Sequence, residues 1–155
     1  MPHHPDQAFL DEHARLLSSN LRLLCGRELL DPAVPDQEAG TTLYQARFVV
    51  LSHGIGPDPC FTYANLAAQQ LFEMPWSEIV GMPSRFSAEP LARGERQRLL
   101  ERVSRHGYVD DYSGVRITRS GRRFRIHKAT VWNLFDSEGR HCGQAACFDQ
   151  WQPLE

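Results

Sequence analysis

The carboxy-terminal third of the chain constrains the fold more than any other stretch. Three runs rich in β-branched and aromatic residues, Tyr108 to Thr118, Arg122 to Phe135 and Arg140 to Phe148, are separated only by Arg119-Ser120-Gly121 and Asp136-Ser137-Glu138-Gly139. Gly, Ser and Asp at those joints provide the positive φ angles and local hydrogen bonds of tight turns, so successive runs return antiparallel as a three-stranded meander. In the middle run, Phe124, Ile126, Trp132 and Leu134 share one parity, while Val131 and Phe135 take the other. Strand side chains alternate between faces, which predicts either a bulge that switches faces or a sheet covered on both sides. The expected cover is the amino-terminal helix or a partner subunit.

That helix is read from Asp6 to Leu30, where Phe9, Leu10, Ala14, Leu16, Leu17, Leu21 and Leu24 recur at three- and four-residue spacing and Asp6 is the expected N-cap. Leu10, Leu17 and Leu24 are spaced by sevens, a seam that either packs on the domain's own sheet or pairs with a second helix. Asp31-Pro32-Ala33-Val34-Pro35-Asp36 stops the helix, because proline cannot continue it, and a linker is expected to about Thr41.

Ala46 to Ser52 and Cys60 to Tyr63 read as strands around a Gly- and Pro-rich turn. Three helices follow: Leu66 to Phe72 capped by Asn65, Pro75 to Val80 ended by Gly81, and Arg93 to His106 with Gly107 at its C-cap. With strands and helices segregated in this way the class is α+β: one five-stranded antiparallel sheet, short helices on one face, and an N-terminal helix. The expected organisation is a helix and linker over residues 1–45, a core over 46–151 and a tail over 152–155.

Net charge is −2, from 17 basic and 19 acidic residues, so no global positive field exists to hold nucleic acid. No run approaches the roughly 18 apolar residues of a membrane span, and Met1-Pro2-His3-His4-Pro5 lacks the features of a signal peptide. Cys25, Cys60, Cys142 and Cys147 form no C-x-x-C pair and are read as reduced thiols of a cytoplasmic protein.

Catalytic chemistry finds no support. Asp110, Asp111 and His127 are the nearest approach to acid–base machinery, yet adjacent strand residues point to opposite faces, and no nucleophile accompanies a base. The chain is therefore read as a non-enzyme. Cys142 and Cys147, five apart on a strand, are expected on opposite faces and unable to share a metal ion. With Met1 removed, Pro2-His3-His4 would suit Cu(II) or Ni(II), although an unstructured terminus is the plainer reading. Arg122, Arg123 and Arg125 read as a solvated edge that deters strand pairing.

The element order resembles the PAS fold, together with Phe61-Thr62-Tyr63-Ala64-Asn65-Leu66-Ala67-Ala68, then Leu71-Phe72, Ile79-Val80-Gly81 and the turn at Asp136 to Gly139. Within it, Asp111-Tyr112-Ser113-Gly114-Val115-Arg116-Ile117, Gly121 to Ile126, Val131-Trp132-Asn133-Leu134 and Gly143-Gln144-Ala145-Ala146 resemble the bacterial MEKHLA domain, a likeness running to about Trp151. The resemblance implies a sensory or protein-interaction module with a cavity between the sheet and the helices from Asn65 to His106. Its expected lining is Tyr63, Phe72, Phe86, Leu99, Val103, Tyr112, Phe124 and Trp132, and the expected ligand is small and largely apolar. Tyr112, if buried, needs a partner for its hydroxyl.

No output domain is read in this sequence, so a sensed signal is expected to pass to a separate signalling protein or through a homodimer. That dimer is expected to form through the N-terminal helix and the outer sheet face. A ligand-free dimerisation module, its cavity filled by aromatic side chains, is the alternative of a different class.

Two cofactors are weighed on the same resemblance, and none is expected. Gly81-Met82-Pro83-Ser84-Arg85-Phe86 is similar to the G-x-N-C-R-F segment of light-oxygen-voltage (LOV) photoreceptors, but Ser84 stands where their adduct-forming cysteine would be. Ile126 or His127 falls at the main flavin-binding asparagine and Ala145 or Cys147 at the glutamine, with Asn133 and Gln144 out of register. A dark, adduct-free flavin domain remains the alternative. For haem only His106 is suitably placed, at a helix end where it also complements the helix dipole; His53 and His127 read as turn and sheet residues.

Overall fold

The computed structural model describes residues 5–89 and 93–154; Pro2-His3-His4 lies outside them. Helix α1, Gln7–Cys25, begins where the Asp6 carboxylate accepts the Phe9 N–H at 3.0 Å, and ends at Gly26 with φ 68°. The stretch expected as linker contains helix α2, Asp36–Tyr44. The helix expected to Leu30 is ended by the Gly26 cap before the prolines are reached, and Pro35 instead sets up α2: it supplies the extended entry, and Asp36 and Glu38 favour the positive end of the helix dipole. Weak helix formers at Gly40, Thr41 and Thr42 hide the pattern, and tertiary contact completes it. Leu43 is fully buried, the Gly40 N–H donates to Asp11 Oδ1 at 3.1 Å, and a Cβ at Gly40 would run into the backbone of Leu10 and Asp11.

Then come β1 (Val49–His53), β2 (Phe61–Ala64), α3 (Leu66–Phe72), α4 (Trp76–Ile79), a 3-10 turn at Ser84–Ser87, α5 (Arg93–His106), β3 (Tyr108–Ile117), β4 (Arg123–Phe135), β5 (His141–Phe148) and β6 (Gln150–Leu154). The sheet is antiparallel in the order β2-β1-β5-β4-β3, with β6 on β4. It therefore has six strands where five were expected. At 13 residues β4 outruns β5, which pairs only with Thr130 to Phe135, and the supposed tail fills the remaining edge along Arg123 to His127. Pro153 is tolerated there because β6 is itself an edge strand.

Both sequence readings of the middle strand hold together. Lys128, at φ 54°, kinks β4, so Phe124 and Ile126 before it and Ala129 and Val131 after it share one apolar layer, while Trp132 and Leu134 join the other. The inner layer, against α3 to α5, also holds Val49, Leu51, Phe72, Leu99 and Phe148; the outer holds Leu10, Ala14, Leu17, Leu21, Val50 and Tyr63. The outer cover is the chain's own α1. Trp132 Nε1 donates to Leu17 O at 3.2 Å, and Asn20 exchanges two hydrogen bonds with the Phe135 backbone at 3.1 Å each. The surfaces that motivated the expected dimer thus cover each other: Leu10 and Leu17 are buried, and Leu24 is half-buried on the same layer. A dimer through those surfaces would first have to lift α1 from the sheet.

His13 of α1 lies between the rings of Phe9 and Tyr63, with Nε2 2.8 Å from Ser52 Oγ. Burial pushes its pKa down to about 4, and burial likewise brings His53 to about 4. Between pH 6.5 and 4 the unfolded chain takes up these protons and the folded chain does not, so stability falls as pH is lowered through that window. His13 by itself is expected to remove about 2 kcal/mol by about pH 5. Urea unfolding at about pH 7 and about pH 5 measures this; equal midpoints contradict it, and His13→Gln should reduce the difference.

Candidate functional site

A cavity of about 70 Å³ lies between the inner face of the sheet, α5 and the 3-10 turn. Leu51, Phe61, Phe72, Leu99, Ile126 and Val131 form its apolar wall. Its polar groups converge from distant parts of the chain. Arg96 and Leu99, three residues apart, share one face of α5. On β3, Tyr112 and Arg116 are four apart and both buried. Ser84 and Ser87 come from the 3-10 turn, His53 from the end of β1 and Gln144 from β5.

Arg96 donates through Nη2 to Ser84 Oγ, and Ser87 Oγ donates to Ser84 O at 2.7 Å, which fixes the turn against the helix. Arg116 Nη1 donates to the Tyr112 hydroxyl at 3.1 Å and to Val115 O at 2.9 Å. The Tyr112 side chain lies against Gly114, where any Cβ would collide with the ring. Neither Arg96 nor Arg116 forms an ion pair among the described residues, whose seven ion pairs all involve other arginines. Burial and the neighbouring Arg116 push the Arg96 pKa down to about 10. His53 is neutral, its Nδ1 held 2.8 Å from Gly54 O.

Of the expected lining residues, Phe72, Leu99 and Tyr112 reach the cavity. Val103 and Phe124 are buried in the same layer but behind the wall, Phe124 meeting Phe72 edge to face at 5.3 Å between centroids. Tyr63 and Trp132 lie in the outer layer against α1, because strand alternation and the Lys128 bulge turn them away. Phe86 is 47% exposed beneath the Arg85 guanidinium, 4.2 Å from its ring centroid. Apart from Tyr112, the polar wall is not among the expected lining. Its signal was present in the spacing of Arg116 to Tyr112 on β3 and of Arg96 to Leu99 on α5.

Gln144 also corrects an expectation, since it lines the cavity; Ala145 borders the cavity too but is packed in the opposite layer. Its Nε2 donates to Leu100 O at 3.2 Å and Asn133 Oδ1 at 3.0 Å; Asn133 Nδ2 donates to Val103 O at 2.9 Å; Gln144 Oε1 is buried without a protein partner. Asp110 and Asp111, expected on opposite faces, are both exposed at a register shift of β3. Cys142 and Cys147, likewise expected on opposite faces, both pack against the outer layer past a register shift in β4 and β5. His106 is exposed at the end of α5, and neither it nor His127 lines the cavity.

A flavin does not fit these residues. The cavity is far below the roughly 300–1,000 Å³ of cofactor-sized pockets. The Ser84 hydroxyl is taken by Arg96, and the Asn133 and Gln144 amides are tied to each other and to the α5 backbone in place of a ring edge.

A model of the MEKHLA domain matches residues 11–153. Several solved structures share the fold. The PAS domain of a protein from Colwellia psychrerythraea is 8% identical at a TM-score of 0.63, covering 76% of this chain and 95% of that one. The LOV domain of the Erythrobacter litoralis EL346 blue-light activated histidine kinase is 17% identical at 0.53, covering 71% and 98%. A light-oxygen-voltage domain studied with a flavin analogue is 19% identical at 0.55, covering 75% and 84%. No curated protein matches the chain by sequence.

Proposed function

The chain belongs to the MEKHLA domain family, and from that premise we propose that it is a PAS-like sensory module whose inner cavity takes a small molecule and whose response passes to a partner protein. One observation carries this reading: a cavity between sheet and helices holds polar groups from α5, β3 and β5 that the fold itself leaves partly unused. Buried polar atoms without a partner are few in folded proteins and each calls for a cause, and a ligand in the cavity would give Gln144 Oε1 its partner. Ligand occupancy would act on α5 and the 3-10 turn, which share the wall with the central strands. Those elements are the route by which binding alters the outer surface. The partner is a separate signalling protein or a second copy joined away from α1. A cytoplasmic location belongs to the same reading, supported by four unpaired cysteines and by the absence, among the described residues, of a helix long and apolar enough to cross a membrane.

The test is Ala146→Leu, which adds three carbons to the cavity wall without touching its polar groups. Gentle-ionisation mass spectrometry of the parent is expected to show a small molecule carried with the chain, or amide resonances of cavity residues are expected to shift in a fragment screen. The variant should fold and lose either signal. A parent that carries nothing and responds to no fragment overturns the reading in favour of a ligand-free interaction module.

A further inference from the structure

We infer that the cavity recognises a small aliphatic carboxylate, its anionic head held by Arg96 and Arg116 and its tail by the apolar wall of Leu51, Phe72, Leu99 and Ile126. This inference rests on the ligand-binding reading and names the ligand's chemical class. Two arginines, 6% and 9% exposed as whole residues, border one cavity, and no carboxylate pairs with either among the described residues. Arginine is almost never fully buried unless paired, because a lone charge loses hydration that nothing replaces.

The surrounding groups do not supply the missing charge. Ser84 Oγ, the Tyr112 hydroxyl and Val115 O accept hydrogen bonds but are neutral, and His53 is neutral as well. Asp58 is the carboxylate whose field reaches Arg96, and it is engaged by Arg85 through two hydrogen bonds at 2.9 and 3.3 Å on the exposed surface. Arg96 and Arg116 also repel each other, which is part of why the Arg96 pKa is depressed. An anion between them removes that repulsion. Each guanidinium has five donor hydrogens in a fork that matches the two oxygens of a carboxylate, and its bonds to Ser84, Tyr112 or Val115 leave several of them free.

The apolar share of the wall fixes the rest of the ligand. At about 70 Å³ the space accommodates about five non-hydrogen atoms, the size of a three- or four-carbon acid. A wholly apolar guest would leave both charges unanswered, and a highly hydrated inorganic anion would leave the aliphatic wall without a partner.

Propionate is the probe, with propan-1-ol as its uncharged counterpart and inorganic phosphate as an anion without a tail. Calorimetric titration of the full chain is expected to give a propionate dissociation constant of roughly 10 μM to 1 mM. Amide resonances of Leu99 and Tyr112 should shift with it, and neither comparison compound should bind measurably. Arg96→Met and Arg116→Met should each weaken propionate at least about tenfold. Because each removes an uncompensated charge, both should also match or exceed the parent's thermal midpoint without ligand.

Propan-1-ol binding as tightly as propionate overturns the anionic head while leaving the cavity a ligand site. Phosphate binding equally overturns the carboxylate class. If none of the three binds, or if the arginine variants melt lower and keep the parent's propionate affinity, the inference fails. The ligand-binding reading is then decided separately by Ala146→Leu and the co-purified mass.

Discussion

Replacing Asn65 by leucine is expected to lower stability by about 4 kcal/mol, a large effect for one buried polar side chain. The side chain is fully buried and closes four backbone groups. Its Oδ1 accepts the N–H of Val50 at 3.0 Å and of Ala68 at 3.1 Å, and its Nδ2 donates to Leu43 O at 3.1 Å and Phe48 O at 2.9 Å. One residue thus caps α3, ties it to β1 and anchors the end of α2. Leucine repeats the branch at Cγ with the same number of heavy atoms but with bulkier methyl groups, so a modest overpacking cost adds to the loss of the hydrogen bonds. Each buried group left without a partner costs roughly 1–3 kcal/mol, of which local shifts and water recover part. Against a total of roughly 5–15 kcal/mol for a domain, the variant should be marginal at about 37 °C. Urea unfolding provides the measurement, and a loss below about 1 kcal/mol would show that the network is dispensable.

The second large effect is at Leu17, where glutamate is expected to prevent folding at neutral pH. Leu17 is fully buried between α1 and the outer sheet layer, and its carbonyl receives the Trp132 indole N–H. A carboxylate there either stays charged without a partner or is neutralised, which at about pH 7 costs about 4 kcal/mol because its ordinary pKa is about 4.3, added to the lost packing; either loss approaches the whole stability of the domain. Leu17→Ala, which creates only a cavity, should cost about 3 kcal/mol and leave a folded protein. The pair of variants separates two roles for α1. A helix covering its own sheet makes Leu17→Glu unfolded by circular dichroism; a helix serving as a dimer seam makes it a folded monomer by light scattering. Folded monomer is the outcome that would sink the packing of α1 on its own sheet.

The same contacts explain what could be read in advance. The turns at Arg119 to Gly121 and Asp136 to Gly139, the caps at Asp6 and Asn65 and the stop at Gly107 are local chemistry, and the elements they bound fall within a few residues of where the sequence places them. Helix α2 and strand β6 were missed because local chemistry does not settle either. One depends on Asp11 and Leu43 finding partners, and the other on the open edge of β4.

By itself the sequence determined the antiparallel meander, the α+β class, the family resemblance and the serine at position 84, since each follows from residue types at short range. Only the tertiary structure decided which face each strand shows. A single left-handed residue, Lys128, shifts the parity of half of β4, and strand alternation turns Tyr63 away from the cavity, so two of the expected lining aromatics serve the outer core. It also decided the character of the cavity. Spacing places Arg96 with Leu99 and Arg116 with Tyr112 but does not show whether either is paired; their isolation from every carboxylate among the described residues emerges only once α5 is laid across β3, because burial and pairing are properties of the packed chain.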